Sequence, residues 1–154
     1  MSLFLIIKII TMFNYIAYFF IIFLTVIFME IVAILTHKYI MHGPGWCLHK
    51  SHHTNYDSIF QLNDLYFFFF SLPSMFCIIF GILYNNNILI SIGVGMLFYG
   101  LIYIFIHDLI VHNRFNFKIS YNNTYLKKIK KSHLKHHANK NKNGATDFGF
   151  ISYK

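Results

Sequence analysis

Every histidine of this chain lies in four short motifs, and those motifs are its most informative chemistry. His37-Lys-Tyr-Ile-Met-His42 is followed by His49-Lys-Ser-His52-His53. The same two patterns then recur, as His107-Asp-Leu-Ile-Val-His112 and His133-Leu-Lys-His136-His137. HxxxxH and HxxHH therefore each occur twice, in the same order, and no histidine of the 10 is left over. Imidazole is a ligand for iron, copper, nickel and zinc. A zinc site closes with about four ligands, or about three plus water, so this set exceeds one zinc site more than twofold. Two metal ions with four or five nitrogens each fit the count. Two haems with paired axial histidines are a rival, but an HxxHH triplet crowds three ligands onto one turn where a haem face takes one. No HExxH is present, so a zinc peptidase has no support.

Helical spacing gives these motifs a geometry. Residues i, i+3 and i+4 share one face. His49, His52 and His53 are thus expected to converge on one point, and so are His133, His136 and His137. An i, i+5 pair sits about 140° apart on an α-helix. His37 and His42, like His107 and His112, are expected to flank a site, or to have one member swing in at a helix end.

The elements that position these residues are membrane helices. Of the residues, 56% are hydrophobic, 20% aromatic and only 12% charged, too few charges to coat a soluble surface. Residues 9–36 carry one charge, Glu30, and are long enough to cross a bilayer. They are too long for a signal peptide, and no small-residue cleavage site follows. Residues 65–83 and 88–106 form two more spans, joined by a polar turn at Asn85, Asn86 and Asn87. The expected fold is an all-α integral membrane protein, one domain over 1–154, with three to four transmembrane helices and a helical cap carrying the histidines. A fourth span would have to divide residues 3–36, which hardly hold two crossings and a turn.

With three spans, residues 37–64 and 107–154 emerge on the same side and can meet. Nine of the 13 Lys and Arg lie between Arg114 and Lys142, with no acidic residue among them. That cluster is read as a positive-inside signal placing both segments in the cytosol, not as a nucleic-acid site. Cys47 and Cys77 form no CxxC pair and suggest no disulfide framework. A metal-transport protein would spread its ligands along a path through the bilayer, whereas these fall at one edge.

A few polar residues stand near the motifs. Glu30 lies within the first span, seven residues before His37 and on nearly the same helix face. It is expected to accept an imidazole N–H and orient that ring, or else to snorkel to the headgroups. Asp108 adjoins His107, but helical neighbours point apart, so it is expected to pair with a Lys or another His. Asn63 and Asp64 precede the second span and are expected to cap it, with a water-mediated metal contact as the lesser alternative. Gly43-Pro44-Gly45-Trp46 marks a turn between two short helices, with Trp46 suited to a membrane interface.

The four motifs, in this order and spacing, resemble the fatty acid hydroxylase superfamily, and most closely the bacterial β-carotene 3-hydroxylase family. The likeness extends to Met29-Glu30-Ile-Val-Ala33, Asn63-Asp64-Leu65-Tyr66, Tyr99-Gly100-Leu-Ile-Tyr103, Arg114-Phe115, Tyr125-Leu126-Lys127 and Phe148-Gly149-Phe150, and covers about residues 26–151. Thr54-Asn55 stands where the family usually has Pro, and Asp147 where a small residue is expected. The resemblance implies a non-haem di-iron monooxygenase of the bacterial inner membrane. All ten histidines would hold two Fe ions, O2 would be co-substrate, and no catalytic side chain beyond the ligands is implied. Its substrate would be a lipophilic carotenoid in membrane lipid, with C3 of each β-ionone ring of β-carotene hydroxylated to give β-cryptoxanthin and zeaxanthin. Electrons would come from ferredoxin or another donor docked on the basic 118–142 face. A fatty acid or sterol hydroxylase or desaturase, or a carotenoid ketolase, would use the same centre.

Overall fold

The computed structural model describes residues 3–54, 60–117 and 119–153. Lys118, at one end of the expected donor face, and Asn55 lie outside the described residues. Helix α1 runs Leu3–Leu35 and continues as a π-helical segment, Thr36–Met41. After a turn come α2 (Trp46–Thr54), a short 3-10 turn (Leu62–Asp64) and α3 (Leu65–Leu83). Helix α4 (Asn87–Tyr103) also ends in a π segment, Ile104–Val111, and α5 spans Thr124–Ala138. Among the described residues three helices are long and apolar enough to cross a membrane: Phe4–Met41, Leu62–Leu83 and Asn87–Val111. Residues 3–35 form one continuous helix of 33 residues, so the divided, four-span arrangement does not occur. The spans extend past the expected limits because the π segments carry them on into both HxxxxH motifs.

Packing within the membrane is reversed relative to a soluble protein. Large apolar side chains such as Phe13, Phe19, Phe68 and Phe69 face outward, where lipid is as good a partner as protein. Small residues line the helix contacts instead. The α3–α4 hairpin closes through Ser74, whose hydroxyl donates to the Gly93 carbonyl at 2.7 Å. A Cβ on Gly93 would lie 2.8 Å from the Ser74 carbonyl oxygen, and one on Gly95 would lie 2.6 Å from Thr25 Cβ of α1. These positions let α4 sit between α3 and α1 at close range.

The larger buried side chains gather at one end of the bundle. Met29, Ala33, Tyr99 and Phe150 form one cluster, and Ile106, Val111 and Ile129 another. The two polar segments meet over this end, bringing α2 and α5 together above the ends of α1 and α4.

Candidate metal centre

The π segments resolve the geometry of HxxxxH. In a π-helix the hydrogen bond runs from i+5 to i. His42 N–H donates to the His37 carbonyl at 3.0 Å, and His112 N–H to the His107 carbonyl at 3.0 Å. Each pair is therefore superposed on one face, with ring centroids 5.4 Å apart for His37 and His42 and 4.5 Å apart for His107 and His112. This corrects the α-helical expectation of rings about 140° apart. Gly43 lets the chain leave the first π segment: a Cβ there would lie 1.9 Å from the Tyr39 carbonyl oxygen.

The HxxHH triplets do not converge on single points. Relative to residue i, residue i+4 is rotated by about +40° and residue i+3 by about −60°, so the latter two diverge by about 100°. His49 and His53 face one way and His52 the other. His133 and His137 diverge from His136 in the same manner. Two groups result: His37, His42, His49, His53 and His136, and His52, His107, His112, His133 and His137. Within each group the ligand atoms all lie within 4.8 Å of one another. Each half of the chain thus supplies four rings to one group and sends the middle residue of its HxxHH to the other. Nine of these rings are buried, and His112 is partly exposed.

The Nδ1 side of most rings is fixed by an oxygen acceptor. His37 donates to the Phe148 carbonyl (3.0 Å), His42 to Lys142 (2.8 Å), His53 to Asn139 (2.9 Å) and His136 to Thr146 (2.7 Å). The segment following α5 therefore holds four of the five rings of the first group. Side chains hold three others: His49 donates to Asn63 Oδ1 (2.6 Å), His52 to Gln61 Oε1 (2.8 Å) and His107 to Asp108 Oδ1 (2.8 Å).

With Nδ1 carrying the proton, Nε2 carries the lone pair. Nε2 atoms face each other at 3.1 Å in His37–His49, His42–His136 and His49–His53, and at 3.2 Å in His52–His107. In these four pairs neither nitrogen has a proton to give, so the contacts are repulsive as they stand. A cation between them reverses the sign. Nitrogens this close could both bond one ion at about 2.1 Å. The donor sets fit two metal ions.

Electrostatics favour the same state. Burial pushes His49 and His53 down from 6.5 to about 3. Burial, with Arg114 and Lys130 nearby, lowers His112 to about 4, and burial lowers His136 to about 4. Burial and the surrounding imidazoles hold His52, His133 and His137 well below 6.5. These downward shifts favour the neutral form of the rings at physiological pH, the form that metal ligation requires.

The remaining polar expectations change in detail. Glu30 accepts no imidazole N–H among the described residues. Its carboxylate instead takes the Tyr99 hydroxyl (2.8 Å), the Phe150, Ile151 and Ser152 amides (3.1, 3.1 and 2.9 Å) and the Ser152 hydroxyl (2.7 Å). The reason is that the chain after α5 folds back and offers its amides first, while its Phe148 carbonyl takes the His37 proton. Glu30 so anchors Phe150, which stacks on His37 (centroids 4.9 Å, 14°) and meets His107 edge-on at 5.4 Å. Asp108 pairs with its own neighbour His107 and not with a Lys, because π winding narrows the angle between successive residues. Its other partner is Arg114, at 3.6 Å. Asp64 caps the start of the second span one turn early: its carboxylate accepts the Gln61 backbone N–H at 2.9 Å, in a capping box on the 3-10 turn that leads into α3. Asn63 touches His49, and Asp64 binds Arg114. Trp46 lies against His42 and His53, at 5.0 and 5.3 Å. Gln61 and the carbonyls of 139–148 were not among the sequence candidates. Backbone carbonyls leave no sequence signal, whereas Gln61 stands in the same polar stretch as Asn63 and Asp64.

Fold and site together define a polyhistidine protein with membrane-spanning helices and two five-imidazole groups, consistent with a metal site, at one end of those helices. Residues 22–153 match the model of the fatty acid hydroxylase family, and the chain belongs to that family. Among curated proteins it is similar to the β-carotene hydroxylase of Pantoea ananas, 44% identical over 133 residues that cover 85% of this chain and 74% of that one. It is also similar to the β-carotene hydroxylase of Paracoccus sp. (strain PC1), 39% identical over 82% of this chain and 78% of that one. A more distant relative is the chloroplastic β-carotene 3-hydroxylase 2 of Arabidopsis thaliana, 31% identical over 73% of this chain and 38% of that one. No solved structure matches the chain.

Proposed function

We propose that this protein is an O2-dependent di-iron monooxygenase that hydroxylates C3 of the β-ionone rings of β-carotene, giving β-cryptoxanthin and then zeaxanthin. One observation carries the reading. Two five-imidazole groups sit at the end of membrane helices in a chain 44% identical to a β-carotene hydroxylase. With two iron ions bound, the centre supplies O2 activation: one oxygen atom enters the C–H bond and the other leaves as water, using two electrons and two protons from a donor.

The chain's own residues prepare that chemistry. Neutral rings present Nε2 lone pairs, and the Nδ1 hydrogen bonds fix the direction of seven of the rings before any ion arrives. Phe148 and Phe150 pack against rings of both groups and exclude water from that side. The π segments place His37 and His107 at the ends of apolar spans, so a lipophilic ring dissolved in the bilayer reaches the centre without entering bulk water.

The donor side is opposite. Helix α5 turns His133, His136 and His137 inward while Lys127, Lys128 and Lys131 are exposed. An acidic ferredoxin suits this face, because complementary charge speeds encounter. The positive-inside bias supports a centre facing the cytoplasm, and the bacterial relatives suit an inner-membrane location.

Co-expression with a β-carotene pathway in a host lacking hydroxylase tests the reading by chromatography of the pigments. Zeaxanthin and β-cryptoxanthin are expected. Unchanged β-carotene alongside iron-loaded protein refutes the substrate assignment. Canthaxanthin would identify a ketolase, and hydroxylated acyl chains a fatty acid hydroxylase.

A further inference from the structure

The chain has a single arginine, Arg114, and it is not one of the side chains that make up the two imidazole groups. Its position is nonetheless specific. Nη2 donates to both carboxylate oxygens of Asp64, at 2.6 Å each. Nη1 lies 3.6 Å from Asp108 Oδ1, and the Arg114 amide donates to the Asp108 carbonyl at 2.9 Å. Asp108 Oδ1 in turn accepts the His107 proton. On the other arm, Asp64 Oδ2 accepts the Gln61 backbone N–H at 2.9 Å, and Gln61 Oε1 accepts the His52 proton. His52 and His107 face each other through Nε2 at 3.2 Å. The connections close into a ring: His52, Gln61, Asp64, Arg114, Asp108, His107 and back to His52.

We infer that Arg114 is a positioning residue for the second ion: it locks the two acceptors that aim His52 and His107, which come from opposite halves of the chain. The inference rests on the two-ion reading of the centre. The guanidinium suits the task because its planar fork grips Asp64 and reaches Asp108 from one rigid group, which a lysine ammonium does not do. Four of the five rings of the first group are held by carbonyls of residues 139–148, and Arg114 does not bond to those. The effect is therefore selective. Asn63, which holds His49, adjoins Asp64 and links this network to the first group through a single hydrogen bond.

Outer partners of metal ligands typically contribute about 10- to 100-fold in affinity. The test is an anaerobic Fe(II) titration of metal-free full-length protein in detergent micelles, with bound iron counted per chain and helicity followed by circular dichroism. Wild type is expected to take two ions. Arg114→Ala is expected to keep one ion at wild-type affinity and to lose about 10- to 100-fold on the other. Arg114→Lys, which keeps the charge without the fork, is expected to show the same selective loss at smaller size. It serves as the test if the alanine variant does not accumulate. Two ions bound at wild-type affinity in both variants would overturn the inference, as would equal weakening of both ions. Fewer than two ions on the wild type would instead overturn the two-ion reading itself.

Discussion

The crossing of the middle histidines makes a prediction that sequence order alone would get wrong. His136 belongs to the second HxxHH but joins the first group, and His52 does the reverse. Structural metal sites with about four protein ligands bind with about 10–16 kcal/mol. Dividing that among the ligands gives about 3 kcal/mol each, or about 100-fold in affinity at about 1.4 kcal/mol per decade. His49→Ala/His136→Ala removes two rings from the first group and none from the second. One ion is then bound as in wild type and the other is lost, at about 10⁴-fold if the two contributions add. His49→Ala/His52→Ala removes neighbours within one motif but one ring from each group, so both ions weaken by about 100-fold. Iron per chain and the affinity of each binding step, from calorimetry on detergent-solubilised protein, distinguish the two cases. If the pair drawn from one motif abolished one ion and spared the other, the crossed assignment would be wrong.

Two further outcomes follow from the geometry. Glu30 gathers five hydrogen bonds from Tyr99 and residues 150–152, and bonds to a charged group contribute about 1.5–3 kcal/mol each at most. Glu30→Ala is expected to release the 148–152 segment, with faster trypsin cleavage at Lys142 and reduced pigment hydroxylation, while Glu30→Gln retains part of both; unchanged cleavage in the alanine variant would count against the anchor. The pH dependence has a definite sign. Burial pushes His49, His53, His112 and His136 from 6.5 down to about 3–4 in the folded chain, so the unfolded chain binds more protons across that window. Metal-free protein should be equally stable from pH 7 to 8 and lose stability progressively as pH falls below about 6.5, read by thermal melts; a rise in stability on acidification would contradict the buried neutral rings.

Some of this was legible in the residues alone. Hydropathy located three spans because lipid requires long apolar runs, and parity put the two histidine segments on one side. The HxxxxH and HxxHH repeats identified all ten rings that the structure gathers. What the sequence hid was winding. An α-helical reading of His37–His42 and His107–His112 spreads the rings, and only the i+5 hydrogen bonds superpose them. The divergence of His52 from His53 follows from the 100° step, but which ion each ring faces depends on how α2 and α5 pack. Glu30 looked like a partner for an imidazole because its register with His37 is right. The amides of 150–152, more than a hundred residues on, took that carboxylate instead, a long-range contact with no local signal. Asp108 was misjudged for the opposite reason: its partner is adjacent, and only the π turn lets it reach.

The central claim is that two ions are held by rings drawn from both halves of the chain. Crystallography of the iron-loaded protein at the iron absorption edge tests it most directly. Two anomalous peaks are expected, one among His37, His42, His49, His53 and His136, the other among His52, His107, His112, His133 and His137. A single peak, or two peaks each surrounded by histidines of one half alone, would contradict it.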